Sequence, residues 1–217
     1  AGPRRKLERG AEWSRAGMAE QGGEQGGSTA LQGERNRISE LKSRAELPAL
    51  LAGLHLDTGD SGLLFGFGSN QDFADSAQVI AFAQSGGLGL PDRDYYVLDD
   101  AKMQGIREAY LAFVENMFGQ IGEKPDAAKK DARLVMDRET RLAKVSQTKV
   151  ERRDPNTQYN RVDRKGLKEK APNFQWDVYF DALGGKGVTA INVNHIPYFV
   201  ELSNAAKDVK PETWKAY

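Results

Sequence analysis

Apolar residues between positions 100 and 146 recur at the spacing of two amphipathic helices. The first stripe follows Asp99 and Asp100, either of which can cap a helix, and it ends at a break over residues 122–125. Its members are Ile106, Tyr110, Phe113, Val114, Met117, Phe118 and Ile121. The second stripe follows Pro125 and consists of Ala128, Ala132, Val135, Met136, Glu139, Leu142, Ala143 and Ser146. We expect an antiparallel helical hairpin with both stripes in the core.

Charged residues of both signs lie on the other face of the second predicted helix. They are Lys129, Lys130, Asp131, Arg133, Asp137, Arg138, Arg141 and Lys144. Mixed charges at helical spacing are typical of a solvated surface, so we expect these side chains to be exposed. The Met and aromatic side chains of the first stripe are interpreted as core rather than as a cofactor site.

The segment before residue 86 predicts two helices followed by a β-hairpin. Residues 34–42 have helical spacing, and residues 43–46 have the spacing of a capping box before a leucine-rich helix that ends at Leu54 and His55. Two strand-like runs, separated by turn residues, then predict a β-hairpin near residues 63–84.

The last third of the chain predicts short elements. Asp163 can cap a helix over residues 164–170, in which Gly166 should cost about 1 kcal/mol relative to alanine. An aromatic helical face follows, made of Trp176, Tyr179, Phe180 and Leu183. Residues 190–193 predict a strand, and two helices are expected over residues 197–206 and 211–217.

Composition divides the chain into two parts. Residues 1–33 are polar and rich in glycine, so we expect them to be mostly disordered, with a short helix near residues 7–18 as an alternative for part of the segment. Residues 34–217 are expected to form one mainly helical unit. With 31 basic and 31 acidic residues there is no electrostatic case for a nucleic-acid partner. Cysteine is absent, which excludes disulfides and thiolate metal sites, and no apolar run is long enough to span a bilayer. We expect a fragment of a longer chain, without a signal peptide.

A glycine-rich turn at residues 86–96, with the sequence GGLGLPDRDYY, separates the β segment from the helices. Glycine permits backbone angles that other residues resist, and Pro91 fixes one of them. Asp92, Arg93 and Asp94 can lock the turn through local hydrogen bonds and charge pairs. Because Arg93 stands between the two carboxylates, we expect both to be ionised and structural rather than a catalytic pair.

Three blocks resemble motifs of the neprilysin and endothelin-converting-enzyme family of zinc metallopeptidases. Residues 88–96, LGLPDRDYY, are similar to its GLP-x-RDYY signature. Residues 151–180 resemble the family's E-x-R-x-P…YN…P-x-F-x-W-x-x-Y run, through ERRDP, Tyr159-Asn160 and APNFQWDVYF. A weaker third block lies at INV, PYF and WKAY between residues 191 and 217. The resemblance covers about residues 28–217 and departs from the family at Asp163 and Gly166.

The resemblance implies the N-terminal, lid-type helical lobe of a larger two-lobed peptidase. In that family a second lobe carries zinc on a His-Glu-x-x-His helix, and the N-terminal lobe restricts access to small peptides. This chain has two histidines, His55 and His195, and neither lies in that motif. We therefore assign no catalytic, cofactor-binding or metal residue here. His55 is interpreted as solvated or capping a helix, and His195 as a structural hydrogen-bonding residue.

The resemblance also implies partners and a location. The downstream catalytic lobe would be the partner, small peptides the substrates of the parent, and zinc the parent's cofactor. Bacterial members of the family are usually exported, so the resemblance implies an exported parent. The fragment alone should be inactive. The alternative is a non-enzymatic helical interaction module, either with an exposed aromatic face around Trp176 and Tyr179 that docks a partner, or as a separate adaptor that adopted the domain.

Overall fold

The computed structural model describes residues 31–58 and 63–217. The predicted disordered segment lies outside these residues, except for its last three, where the first helix has already begun. In chain order the helices are α1 Gln32–Ser39, α2 Leu47–Thr58, α3 Asp94–Val97, α4 Ala101–Gln120, α5 Pro125–Val145, α6 Arg164–Lys170, α7 Trp176–Ala182, α8 Ile196–Asp208 and α9 Pro211–Ala216. The strands are β1 Phe65–Gln71, β2 Val79–Ser85, β3 Arg161–Val162 and β4 Ile191–Val193. The prediction of a mainly α fold is confirmed.

Local side-chain caps begin several of these helices where the sequence predicts them. Ser43 and Glu46 form the predicted capping box, which leads through a short 3₁₀ turn into α2. Asp100 accepts a hydrogen bond from the Met103 N–H at 3.0 Å and caps α4. Asp163 caps α6 by accepting from the Gly166 N–H at 2.6 Å. Helix α2 continues to Thr58, beyond the predicted end at His55.

The predicted hairpin is confirmed, but it belongs to a four-stranded sheet in the order β1-β2-β4-β3. Strands β1 and β2 pair antiparallel, from Phe65 opposite Ser85 to Gln71 opposite Val79. Strand β4 then pairs parallel to β2, and β3 pairs antiparallel to β4. The sheet therefore joins the hairpin to a segment more than 100 residues further along the chain.

Helices α4 and α5 form the predicted helical hairpin, but only α5 buries its stripe. Ala132, Leu142 and Ala143 of α5 are fully buried, whereas no residue of α4 is. Phe113 is 57% exposed and Met117 is 43% exposed, so the prediction of a core role is wrong for them. Among the described elements, α4 packs mainly on α5 and also contacts α3, and these neighbours leave Phe113 and Met117 exposed.

The position of Arg138 on α5 also differs from the prediction. It was expected on the solvated face, yet it is only 2% exposed. Its guanidinium lies 5.1 Å from the centre of the Trp214 ring and 3.3 Å from a Glu201 carboxylate oxygen. The cation–π contact and the ion pair explain how a charged side chain can be buried there.

The core is aromatic and lies between the sheet and helices α2, α7 and α8. Phe65 of β1 contacts Trp176, Tyr179 and Phe199 at ring-centre distances of 5.3–5.7 Å. Each of these four side chains is at most 1% exposed, and burying each contributes roughly 1.5–3 kcal/mol. The expectation of an exposed aromatic face is therefore wrong, because that face is the centre of the core.

Candidate functional site

Both histidines make structural hydrogen bonds. His55 Nδ1 lies 2.7 Å from the Tyr179 hydroxyl, and its Nε2 lies 2.8 Å from the Leu63 carbonyl oxygen. His195 Nε2 lies 2.9 Å from the Val145 carbonyl oxygen, which confirms the structural interpretation of His195. Burial lowers the pKa of the His195 imidazole. His55 is not simply solvated as expected, because it joins α2 to the aromatic core.

The start of the glycine-rich turn is held by side chains from the C-terminal part of the chain. Gly87 has φ +69°, in the region that favours glycine, and its carbonyl oxygen accepts a hydrogen bond from the Tyr217 hydroxyl at 2.6 Å. Leu64, with φ +59°, lies beside it, and its carbonyl oxygen accepts a hydrogen bond from the Tyr198 hydroxyl. The start of the turn is therefore held by side chains of α8 and of the residue that follows α9.

A buried carboxylate organises the rest of the turn. Glu139 of α5 accepts hydrogen bonds from the Tyr96 hydroxyl at 2.7 Å, the Tyr110 hydroxyl at 2.9 Å and the Gly89 N–H at 3.2 Å. The Tyr96 hydroxyl also accepts from the Leu90 N–H at 2.8 Å. Burial raises the pKa of the Glu139 carboxyl, although these hydrogen bonds act against it, and burial also raises the pKa values of both tyrosines.

The acidic residues of the turn are structural, as expected, but the partner of Asp92 is different. Lys149 pairs with Asp92 at 2.9 Å, and Asp92 also accepts from the Asp94 N–H at 2.9 Å. Burial acts to raise the pKa of the Asp92 carboxyl, but these bonds outweigh it and hold the pKa below its ordinary value. Arg93 instead donates to the Ala143 carbonyl oxygen at 3.3 Å and lies 3.9 Å from Asp94.

The three sequence blocks meet at one surface, which we call the motif trough. It consists of two adjoining hollows of about 220 and 300 Å³, and Arg152 lines both. The first hollow is lined from the turn at residues 85–93 and from Ser146 and Gln147 after α5. The second is lined by Phe73, Arg152, Arg153, Pro155, Gln158, Asn192 and Asn194, among others. The trough thus brings together segments as far apart in the sequence as Phe73 and Asn194.

Most polar groups along the trough are occupied by structural hydrogen bonds. Asn192 accepts from the Asn160 N–H at 2.8 Å, and Asn194 accepts from the Ser85 N–H at 2.9 Å. Arg152 and Arg153 differ, since within residues 31–58 and 63–217 their guanidinium groups make no hydrogen bond or ion pair. These two arginines are the groups that remain available to a ligand.

In the described part of the chain, no group of three His, Asp or Glu side chains could hold a metal ion. The zinc that the family resemblance implies therefore does not fit the residues described, whose two histidines are engaged as given above. None of the helices in the described residues has the length and apolarity needed to span a bilayer.

Two features of the site were missed by sequence reasoning. Glu139 was counted in the α5 stripe. The sequence clue to its role is a carboxylate within a stripe that is otherwise mostly apolar. In the structure this carboxylate faces two tyrosines of other segments. Arg152 and Arg153 lay inside a recognised block, but nothing in their spacing showed that they would remain unpaired.

A family model for the N-terminal region of Peptidase family M13 matches residues 8–217. The chain therefore belongs to peptidase family M13, and the predicted resemblance to neprilysin-type zinc metallopeptidases is confirmed. Among curated relatives, mouse endothelin-converting enzyme-like 1 is 29% identical over 122 residues, which is 55% of this chain and 16% of that protein. Rat endothelin-converting enzyme 1 is 31% identical over 110 residues, 50% of this chain and 14% of that protein.

Solved structures show the same fold. The zinc metalloprotease Zmp1 of Mycobacterium tuberculosis, in complex with an inhibitor, is 28% identical with a TM-score of 0.82. The match covers 92% of this chain and 30% of that one. PepO from Lactobacillus rhamnosis matches with a TM-score of 0.66 at 16% identity, over 88% of this chain and 30% of that one, which shows the fold alone. This chain therefore spans less than a third of its solved neighbours.

Proposed function

We propose that this chain is the N-terminal, substrate-restricting lobe of a zinc metalloendopeptidase that acts on small peptides. The observation that carries this proposal is the match to a zinc metalloprotease over 92% of this chain with a TM-score of 0.82. The family membership supports the same reading. In this proposal the parent's other lobe is the partner of the chain and holds the zinc, and peptide-bond hydrolysis takes place there.

The arrangement of the described residues supports a positioning role. Their aromatic core is closed, their carboxylates are paired or hydrogen-bonded near the turn, and the surface they present is a trough with two unpaired arginines. A rigid wall of this kind can limit the size of a substrate without contributing groups to the reaction. The alternative of an interaction module has lost its basis, because Trp176 and Tyr179 are buried.

Three assays test the proposal. The encoding gene would be extended past codon 217, and the parent protein and the 217-residue chain would be purified side by side. We expect the parent to cleave short fluorogenic peptides with a chelator-sensitive rate, and the rate to fall steeply as the substrate lengthens. We expect the 217-residue chain to show no cleavage and no bound zinc by elemental analysis.

Either of two results would overturn the proposal. One is chelator-sensitive cleavage by the 217-residue chain itself. The other is a parent that cleaves an unfolded protein as fast as a short peptide, since a substrate-restricting lobe must discriminate by size.

A further inference from the structure

We propose that the motif trough is a binding site for a carboxylate-bearing peptide segment, with Arg152 and Arg153 as the groups that receive the carboxylate. Phe73 would provide the apolar surface beside them. The role of such a peptide as a substrate rests on the proposed function, whereas the binding itself does not. This makes the two ideas separable by experiment.

The first argument is a local excess of unpaired positive charge. The nearby carboxylates already have partners: Lys149 holds Asp92, the Thr148 N–H and hydroxyl bind Glu151 at 2.7 and 2.8 Å, and Asp154 caps the following 3₁₀ turn. In the described residues the guanidinium groups of Arg152 and Arg153 form no such hydrogen bond or ion pair, although the charge of Arg152 helps to lower the pKa of Asp92. A planar guanidinium matches a carboxylate in shape and can bind it through two parallel hydrogen bonds.

The second argument is the shape and apolar character of the far end of the trough. One side of the Phe73 ring packs on Phe82 and Tyr159, at ring-centre distances of 5.2 and 6.0 Å. Phe73 is nevertheless 62% exposed, so much of its surface remains open. A peptide with an apolar side chain near its carboxylate could cover this ring while an arginine binds the acid.

The third argument decides between a peptide and a nucleic acid. The chain has 31 basic and 31 acidic residues, Asp154 directly follows Arg153 in sequence, and Asp92 lines the same hollow as Arg152. A polyanionic backbone would place successive phosphates near these carboxylates, which is unfavourable. A single carboxylate avoids that repulsion, so the charge pattern favours a peptide.

The carboxylate could come from an acidic side chain or from the C-terminus of the peptide. Three labelled hexapeptides of otherwise equal sequence, each with one Leu, distinguish these sources. The first has Glu and an amidated C-terminus, the second has Gln and a free C-terminus, and the third has Gln and an amidated C-terminus. Binding to the 217-residue chain would be followed by fluorescence anisotropy at low ionic strength, where exposed charge pairs are least screened.

We expect at least one carboxylate peptide to bind about fivefold more tightly than the neutral one, as is typical of an exposed charge pair. R152Q and R153Q should each reduce this preference, and the double variant should abolish it. R133Q is the matched control, because Arg133 is also exposed but lies on α5 away from the trough. Phe73→Ser should weaken binding of all three peptides that carry Leu.

The proposal is overturned if the neutral peptide binds as tightly as the others, or if R133Q has the same effect as R152Q. It is also overturned if a short single-stranded RNA displaces the peptides at lower concentration than an unlabelled carboxylate peptide. All variants change exposed residues, and a thermal melt of each confirms that the fold is retained. Failure here leaves the parent's peptidase assay unaffected, so it does not by itself contradict the proposed function.

Discussion

Replacing Tyr96 with Phe, which removes its hydroxyl group, should destabilise the fold more than the same substitution at the neighbouring Tyr95. The Tyr96 hydroxyl accepts from the Leu90 N–H at 2.8 Å and donates to Glu139 at 2.7 Å. Tyr96 is 5% exposed and its bond to Glu139 is buried, so water cannot replace that bond. Tyr95 is half-buried, and none of the described hydrogen bonds involves its hydroxyl.

The magnitude follows from these contacts. A hydrogen bond to a charged group is worth about 1.5–3 kcal/mol, and a neutral one about 1 kcal/mol. Tyr96→Phe loses one of each, but the Leu90 N–H is only partly buried and regains some solvation. We therefore expect a loss of about 2–3 kcal/mol in the free energy of unfolding. For a domain of this size that corresponds to a fall of roughly 4–12 °C in the melting temperature.

The assay is urea unfolding of the 217-residue chain, followed by circular dichroism, for Tyr96→Phe and Tyr95→Phe. We expect Tyr95→Phe to lie within about 0.5 kcal/mol of the unsubstituted protein, as is usual for substitutions away from buried networks. A double-mutant cycle with Glu139→Gln should give a coupling energy of about 1–2 kcal/mol, because Tyr96 and Glu139 share a direct bond. Equal effects of the two tyrosine substitutions, or zero coupling, would refute the reasoning.

The Glu139 cluster also predicts the direction of a pH effect. Burial raises the pKa of the Glu139 carboxyl above its ordinary value of 4.5, so the folded state binds more protons than the unfolded state just above that pH. Stability contributed by this group must therefore fall as pH rises from 4.5 through the folded-state pKa. Glu139→Gln should flatten this part of the stability curve, measured by urea unfolding between pH 4.5 and 8.

Three further predictions concern other parts of the fold. Gly87→Ala should cost about 2–4 kcal/mol in urea unfolding, because φ is positive and the new Cβ would lie 2.8 Å from a backbone oxygen, whereas Gly105→Ala in α4 should be stabilising by about 0.5–1 kcal/mol. Trp176→Ala should cost about 3–5 kcal/mol and Phe113→Ala less than about 1 kcal/mol, since only the first side chain is buried. Because burial lowers the pKa of His195 below 6.5, stability should fall as pH drops below 6.5, and His195→Gln should reduce that fall.

Sequence reasoning was most successful where the deciding contact is local. The caps at Ser43, Asp100 and Asp163 each connect residues about three positions apart, so their spacing in the sequence already contains the geometry. The break at residues 122–125 and the period of the α5 stripe are local in the same sense. These features place the helices within a few residues of their observed bounds.

Long-range contacts were the features that the sequence did not reveal. The pairing of β2 with β4 joins Ala81 to Ile191, and no pattern within either strand specifies the other. The exposure of Phe113 has the same origin, because a helical stripe shows which face is apolar but not whether a neighbour covers it. Arg138 was misplaced because its partners, Trp214 and Glu201, come from distant helices.

The family blocks gave the class of protein correctly, but their physical roles became clear only from the structure. The motif at residues 88–96 forms a turn, and the two sides of this turn have different environments. Gly89 and Tyr96 face the buried carboxylate of Glu139, while Leu90 and Pro91 line the trough. The motif therefore connects a rigid internal network to an open surface.

Substitutions in the buried network and in the trough should therefore have different effects. Substitution of Tyr96 or Glu139 removes buried hydrogen bonds, so its main effect should be on the free energy of unfolding. Substitution of Arg152 or Arg153 removes an exposed charge that makes no ion pair or side-chain hydrogen bond in the described residues, so it should leave stability nearly unchanged and affect mainly what binds. If the arginine variants instead destabilised the chain as strongly as Tyr96→Phe, the two arginines would be structural, and the trough would have no unpaired charge to offer a peptide.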